Sequence, residues 1–298
     1  MNIFKRKQKS LYQKSVGEKI VFAVALIVFL LWAISLLYPL VWLLVNSLKD
    51  SLQYLNVAEH SKWLALPESG DWEFENYIEA FGNITSNGTN FIGMFFNSIW
   101  YCALSILVNM FFSCCTGYIL SKYEFKGRDF IYSTAILCMT LPVFGTGGAT
   151  YTFYYVTGMY DTPLYVIYSS LGSFGMRFLM MYGFFKGVSW DYAEAVFIDG
   201  GSDYTVFFKI MLPLAAPMVL TLSVTGFIGL WNAYESLLIY MPSYPTIAVG
   251  IYKVSENFTD DKPVYYAAMI ISMIPVLAIF IAFSDLIMQN MSVGGLKG

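Results

Sequence analysis

KGVSWDYAEAVFIDGGSDYTVFFKIMLPLAAP, residues 186–217, interrupts two long apolar runs and decides how the rest of the chain is read. It is amphipathic where a plain turn would suffice. Ser189 is placed to cap a short helix whose first turn carries Asp191, which complements the positive end of the helix dipole. Asp199-Gly200-Gly201 then supplies residues that adopt positive φ and stop that helix, and Ser202 is placed to cap a second one. The pattern predicts a helix, a glycine turn and another helix at a membrane surface, where Tyr192, Ala195, Val196 and Phe197 cannot all face water. Such a knob suits a groove in a partner, and it suits a purely structural interfacial helix equally well. Pro213 and Pro217 remove two amide donors where the chain meets the next apolar run, so a bent, positionally fixed approach is expected.

Working outward, six apolar segments stand out: Ile20 to Val45, Phe91 to Leu120, Phe130 to Tyr155, Leu164 to Phe185, Leu212 to Tyr240 and Val264 to Phe283. Only 12% of the 298 residues are charged and mean hydropathy is +0.59, whereas a soluble domain carries about 25% charge. Residues 91–121 and 130–160 contain no Asp, Glu, Lys or Arg, and each run exceeds the roughly 20 residues that cross a hydrocarbon core. The expected fold is an all-α membrane protein with six transmembrane helices.

Orientation follows from charge. Lys5, Arg6, Lys7, Lys9, Lys14 and Lys19 precede the first run against a single Glu18, and Lys122, Lys126 and Arg128 mark the loop 121–129 as lying on the same side. The first run is too long for a signal-peptide core and no small-residue cleavage site follows it, so it reads as a retained span with a cytoplasmic N-terminus. The loop 49–90 carries Lys49 and Lys62 against Asp50, Glu59, Glu68, Asp71, Glu73, Glu75 and Glu79, and reads as external. The expected organisation is a basic N-terminus (1–19), a first span (20–45), an outer loop (46–90), a five-helix core (91–290) with a cytoplasmic loop at 186–213, and a cytoplasmic tail (291–298) bearing Lys297. No internal repeat or soluble linker divides the chain.

Several function classes are excluded or disfavoured. A net charge of -3 argues against nucleic acid as a partner. Cys102, Cys114, Cys115 and Cys138 all fall in apolar runs and read as packing residues, and His60 as sole histidine leaves a metal site without ligands. No phosphate-binding G-x-x-x-x-G-K-[ST] loop is present, so ATP chemistry requires another polypeptide. A membrane-embedded transferase or hydrolase would need clustered acids or histidines, which the sequence lacks. Arg177 and Glu235 are the ionisable groups within the spans: Glu235 lies about 33 Å beyond Pro213 and Arg177 about 14 Å short of Lys186. They are expected not to pair, which disfavours an ion-coupled carrier. Arg177 fits snorkelling or a subunit interface, with contact to substrate as the lesser alternative. Trp231, Asn232, Tyr234 and Glu235 fit a sugar path, by aromatic stacking and hydroxyl matching, or an outer aromatic belt.

EAVFIDGG followed by LPLAAP resembles the EAA-x3-G loop of binding-protein-dependent ABC importer permeases, through Glu194-Ala195, Asp199-Gly200, Leu212-Pro213 and Pro217. Val196 stands where the usual triplet has a third residue Ala, and Ser189 where Pro is common. ENYIEAF (75–81), FFNSIW (95–100), SKYEFKGRD (121–129), WNAYESLL (231–238), TIAVGIYKV (246–254) and GGLKG (294–298) are similar to the carbohydrate branch, the maltose-type second permease. The resemblance implies a type I permease fold in the bacterial inner (cytoplasmic) membrane, multi-pass and without catalysis or cofactor of its own. It implies that Glu194, Ala195, Asp199, Gly200, Gly201, Pro213 and Pro217 form the ATPase-coupling loop. It further implies a second homologous permease, an ATP-binding cassette ATPase dimer holding ATP and magnesium, and an extracytoplasmic solute-binding protein that docks on outer loops, including 241–263. The cargo implied is a sugar or oligosaccharide. A polyol or glycerol phosphate is the alternative cargo, and a secondary transporter the remaining class.

Overall fold

The computed structural model describes residues 15–54, 66, 72–141, 145–172, 174–256 and 262–292, with side chains of the last stretch described to residue 285. The basic residues 5–14, His60, Lys62, Trp63, Pro67 and the GGLKG tail lie outside the described residues.

The chain is mostly helical. The first helix, α1 (Val16–Ser47), begins with a capping box in which the Glu18 amide donates to Ser15 Oγ at 3.3 Å and the Ser15 amide donates to Glu18 Oε2 at 2.8 Å. A short helix α2 (Glu75–Asn83) and a hairpin, β1 (Thr85–Ser86) with β2 (Thr89–Asn90), lead into the long α3 (Phe91–Lys122). The hairpin turns on Asn87 (φ 49) and Gly88 (φ 77), the backbone that an Asn-Gly pair favours. Asn90 Oδ1 caps α3 by accepting from the Gly93 amide at 2.9 Å.

Among the described residues, four helical stretches are long and apolar enough to cross a membrane: Val16–Ser47, Phe91–Lys122, Asp203–Trp231 and Lys262–Asp285. The third and fourth apolar segments of the sequence instead fold as pairs of shorter helices. One pair is α4 (Arg128–Thr140) and α5 (Gly147–Val156), parted near Gly145 at φ 76; the other is α6 (Pro163–Ser170) and α7 (Met176–Gly187), parted near Gly172 and Gly175. Glycine's backbone entropy weakens a continuous helix at each break. After α7 come the surface helix α8 (Asp191–Ile198) and one turn, α9 (Asp203–Thr205). That turn runs through a π segment (Val206–Met211) into α10 (Leu212–Trp231). The segment expected to run on to Tyr240 ends at Trp231, and α11 (Glu235–Tyr240) follows separately. The expected outer loop 241–263 contains a helix, α12 (Ile247–Glu256), ahead of α13 (Lys262–Ser292).

Helix α3 is the central post, packed against α6, α7, α10 and α12. Its approach to α7 is close: a Cβ added at Gly117 would sit 2.9 Å from the Tyr182 amide nitrogen and 3.0 Å from Met181 Cβ. Toward one end, Phe91, Met94, Cys102, Tyr165, Trp231 and Ile247 form one core; toward the other, Cys114, Tyr118, Met181, Phe185, Val206 and Met211 form a second. Most of α1 exposes Val, Ile, Leu, Phe and Trp all round, the surface of a helix solvated by lipid, and it buries side chains only near its end, at Leu43, Val45, Asn46 and Ser47. Cys102 and Cys114 are buried, Cys115 half-buried and Cys138 exposed, all as free thiols.

Candidate functional site: the loop between α7 and α10

Ser189 Oγ accepts the Asp191 amide at 3.2 Å as α8 begins. The helix ends in a Schellman pair: the Gly200 amide donates to the Phe197 carbonyl at 3.0 Å and the Gly201 amide to the Val196 carbonyl at 2.8 Å. Gly200 holds φ +79, which an L side chain rarely adopts. Gly201 is held by space instead, since a Cβ there would meet Val196 Cγ1 at 2.4 Å and the Val196 carbonyl oxygen at 3.0 Å. The π segment precedes Pro213, and the Leu212 amide reaches back five residues to the Phe207 carbonyl. The wider turn gives room to a proline ring that would press on the preceding turn of a regular helix. Pro217 lies inside α10 and its carbonyl accepts from Thr221 Oγ1 at 2.9 Å.

The loop has two faces. Ala193 is fully buried in the core formed with Phe185, Val206 and Met211. Opposite, Glu194, Ala195, Asp199 and Gly200 are exposed, together with Tyr192, Phe197, Ile198 (85% exposed) and Tyr204 (78%). That apolar crest has no cover within the chain's described residues. Contacts to the end of α3 tie the loop down: Lys122 Nζ donates to the Val188 carbonyl, Tyr123 hydroxyl donates to Asp203 Oδ1 at 2.7 Å, Trp190 meets the Tyr123 ring edge-on at 5.8 Å, and the Phe207 ring lies 5.0 Å from the Tyr118 ring. Burial, then the hydrogen bonds to Tyr118 and Asp203, push the Tyr123 phenol well above its ordinary range, so it stays a neutral donor. Sequence reasoning missed Ala193, Lys122, Tyr123 and Asp203 as anchors. Their signal is weak, because each works through a partner far away in sequence.

The second set of expected residues lies at the other end of α10. Trp231, Asn232 and Tyr234 line a cleft of about 350 Å³ with Tyr252, Ser255 and Tyr265. Trp231 is 3% exposed and its indole N–H donates to the Ser272 carbonyl at 3.0 Å, so it forms a packed wall. The Asn232 side chain donates from Nδ2 to the Ile228 carbonyl at 2.8 Å, and Tyr234 stacks on Tyr252 with ring centroids 4.5 Å apart. Glu235 opens α11, exposed and outside the cleft lining. Tyr252 and Ser255 belong to α12, a helix that the sequence reading left as loop. Arg177 lies elsewhere, donating from Nη1 to Asn109 Oδ1 at 3.1 Å. Among the described residues no group of three or more His, Cys, Asp and Glu could hold a metal ion.

Residues 113–293, well over half of the chain, match the family described as "Binding-protein-dependent transport system inner membrane component". The chain belongs to this family. As such it is a multi-pass inner-membrane permease subunit of a transporter, and the α8 loop, α10 and the cleft all fall inside the matched region. It is similar to the diacetylchitobiose uptake system permease protein NgcG of Streptomyces coelicolor, 28% identical over 89% of this chain and 85% of that protein. It is also similar to the arabinooligosaccharides transport system permease protein AraQ of Bacillus subtilis, 26% identical over 91% and 94%. Its fold matches a chain of a bacterial ABC transporter involved in importing the acidic polysaccharide alginate, with TM-score 0.74 and 19% identity over 92% of this permease and 99% of that chain.

Proposed function

We propose that this permease forms half of the translocation path of an ATP-driven importer for a sugar or oligosaccharide. The exposed apolar crest on α8, fixed to the spans through Ala193 and closed by the Gly200 turn, carries this reading: it is shaped to enter a groove and anchored well enough to transmit a push. Glu194, Ala195, Asp199, Gly200 and Gly201 make the contact with the ATPase, and Pro213 and Pro217 set the angle at which α10 leaves the surface. ATP closes the ATPase dimer, draws the two coupling helices together and shifts the permease pair toward its outward-open state. The chain binds no nucleotide; ATP and magnesium belong to the ATPase.

In the membrane, α1, α3, the pair α4 and α5, the pair α6 and α7, the stretch 203–231 and α13 act as six spans, with both termini cytoplasmic. The basic residues at 5–19 and 122–128 support that orientation. On the outer face α2, the hairpin and α12 receive the solute-binding protein, and the Tyr234–Tyr252 cleft offers aromatic faces to sugar rings. Relatives named for diacetylchitobiose, arabinooligosaccharides and galactooligosaccharides support the cargo class. A glycosylated polyol is the second reading, favoured by the similarity (27% identical over 88% of this chain) to a permease of Agrobacterium fabrum named for sulfoquinovosyl glycerol transport.

Mild extraction of the affinity-tagged chain from its native membrane tests the assembly. A second permease and a pair of ATPase subunits are expected to come with it; a solitary chain that transports unaided would contradict the proposal.

A further inference from the structure

A cavity of about 360 Å³ lies between α3, α7 and α10, lined by Asn109, Ser113, Arg177 and Thr225. By helical rise, Asn109 is about 20 Å and Arg177 about 15 Å from the ends of α3 and α7 at Lys122 and Gly187. The cavity therefore sits well within the membrane. A guanidinium at that depth is costly, always charged, and ordinarily answered by a carboxylate. Here Arg177 bonds the neutral amide oxygen of Asn109, and among the described residues no carboxylate forms an ion pair with it. Asn109 is itself held, its amide nitrogen donating to the Ser170 carbonyl at 3.2 Å, so its oxygen is aimed at the guanidinium. The other wall is cut away to fit: a Cβ on Gly226 would lie 2.7 Å from Arg177 Nη2. The positive group is thus positioned, given room and, among the described residues, left with donors to spare beside a polar hollow.

We infer that this cavity binds a negatively charged group on the transported sugar, a carboxylate, sulfate or phosphate, with Arg177 as its counter-charge. The inference rests on the importer reading and deepens it from sugar to acidic sugar. A guanidinium presents paired N–H donors that match two oxygens of such a group at once, and Asn109 steers it without neutralising it. Lipid headgroups carry the same chemistry, but they reside at the surface and not this deep.

Arginine-selective labelling with phenylglyoxal provides the test, on the nucleotide-free importer recovered with its ATPase and partner permease. The Arg177 and Arg128 peptides are quantified by mass spectrometry, Arg128 being the surface control. The additions compared are glucose, glucuronate and sodium sulfate at matched ionic strength, in nanodiscs with and without phosphatidylglycerol. The expected result is that Arg177 labels and that glucuronate slows its labelling several-fold, whereas glucose, sulfate and phosphatidylglycerol do not, with Arg128 unaffected. In Gly226→Ala, where the added methyl displaces only the flexible end of Arg177, protection by glucuronate should be lost while the complex still assembles. Any of three results would overturn the inference: Arg177 that never labels, its guanidinium being covered by the partner permease; protection equal for sulfate and glucuronate, which marks a simple ion site; or protection by phosphatidylglycerol, which marks a lipid site. Each would leave the importer reading standing, because the complex in hand already contains the ATPase.

Discussion

Glycines decide this molecule residue by residue, for different physical reasons. Gly200 is required by its dihedral angle, and the Asp199-Gly200-Gly201 run announces a helix stop in the sequence alone. Gly117 is required by its neighbour: α7 passes so near that a side chain would strike the Tyr182 backbone. Nothing around Gly117 in the sequence reveals this, because the reason lies in a helix about 60 residues away. Gly117→Val is expected to force α3 and α7 apart at a cost of about 1–3 kcal/mol. A lowered melting temperature of the detergent-solubilised permease checks it; an unchanged one would mean that the contact is loose. Gly226→Ala is expected to be milder, since a flexible guanidinium, not backbone, gives way.

At the scale of elements, what was legible depended on whether local sequence or a partner sets the geometry. The α8 helix and its glycine stop follow from nearby residues and appear where the pattern places them, whereas the N-cap position falls on Trp190 and Ser189, expected as the cap, accepts the Asp191 amide from one residue earlier. The Asn87-Gly88 hairpin carried an equally local signal that the sequence reading passed over. The breaks between α4 and α5 and between α6 and α7 were masked by unbroken hydrophobicity: apolar runs report immersion in lipid, not helical continuity. Helix α12 hid because one face packs on α3, so tightly that a Cβ on Gly250 would lie 2.4 Å from Met94 Sδ. The bond from Tyr123 to Asp203 is one of the ties between loop and spans. Tyr123→Phe should loosen the docking of α8 by about 0.5–1.5 kcal/mol, the net value of one hydrogen bond. Hydrogen exchange over residues 191–205 should then quicken while α3 stays protected, and unchanged exchange would place the anchoring on Ala193, the Lys122–Val188 bond and the Trp190 ring contact.

Over the whole molecule, two cores strung along α3 join the half where the aromatic cleft and α12 sit to the half that grips the α8 loop. Val206 and Met211, which lead into α10, share one core with Ala193 of α8, the packing through which the proposed coupling would pass. Membrane class was legible from composition, and sidedness was proposed from the placement of Lys and Arg. The cavity at Arg177 was not, because its meaning comes from the neutral partner on α3 and the missing side chain on α10. The central claim is that an ATPase drives this permease through the Gly200-closed loop. It is tested most directly by ATP-dependent uptake of labelled oligosaccharide into proteoliposomes holding the whole importer, comparing wild type with Gly200→Val. The account predicts that the variant inserts and assembles normally while its ATP-driven uptake falls to background; uptake equal to wild type, or uptake by either protein without ATP, would contradict it.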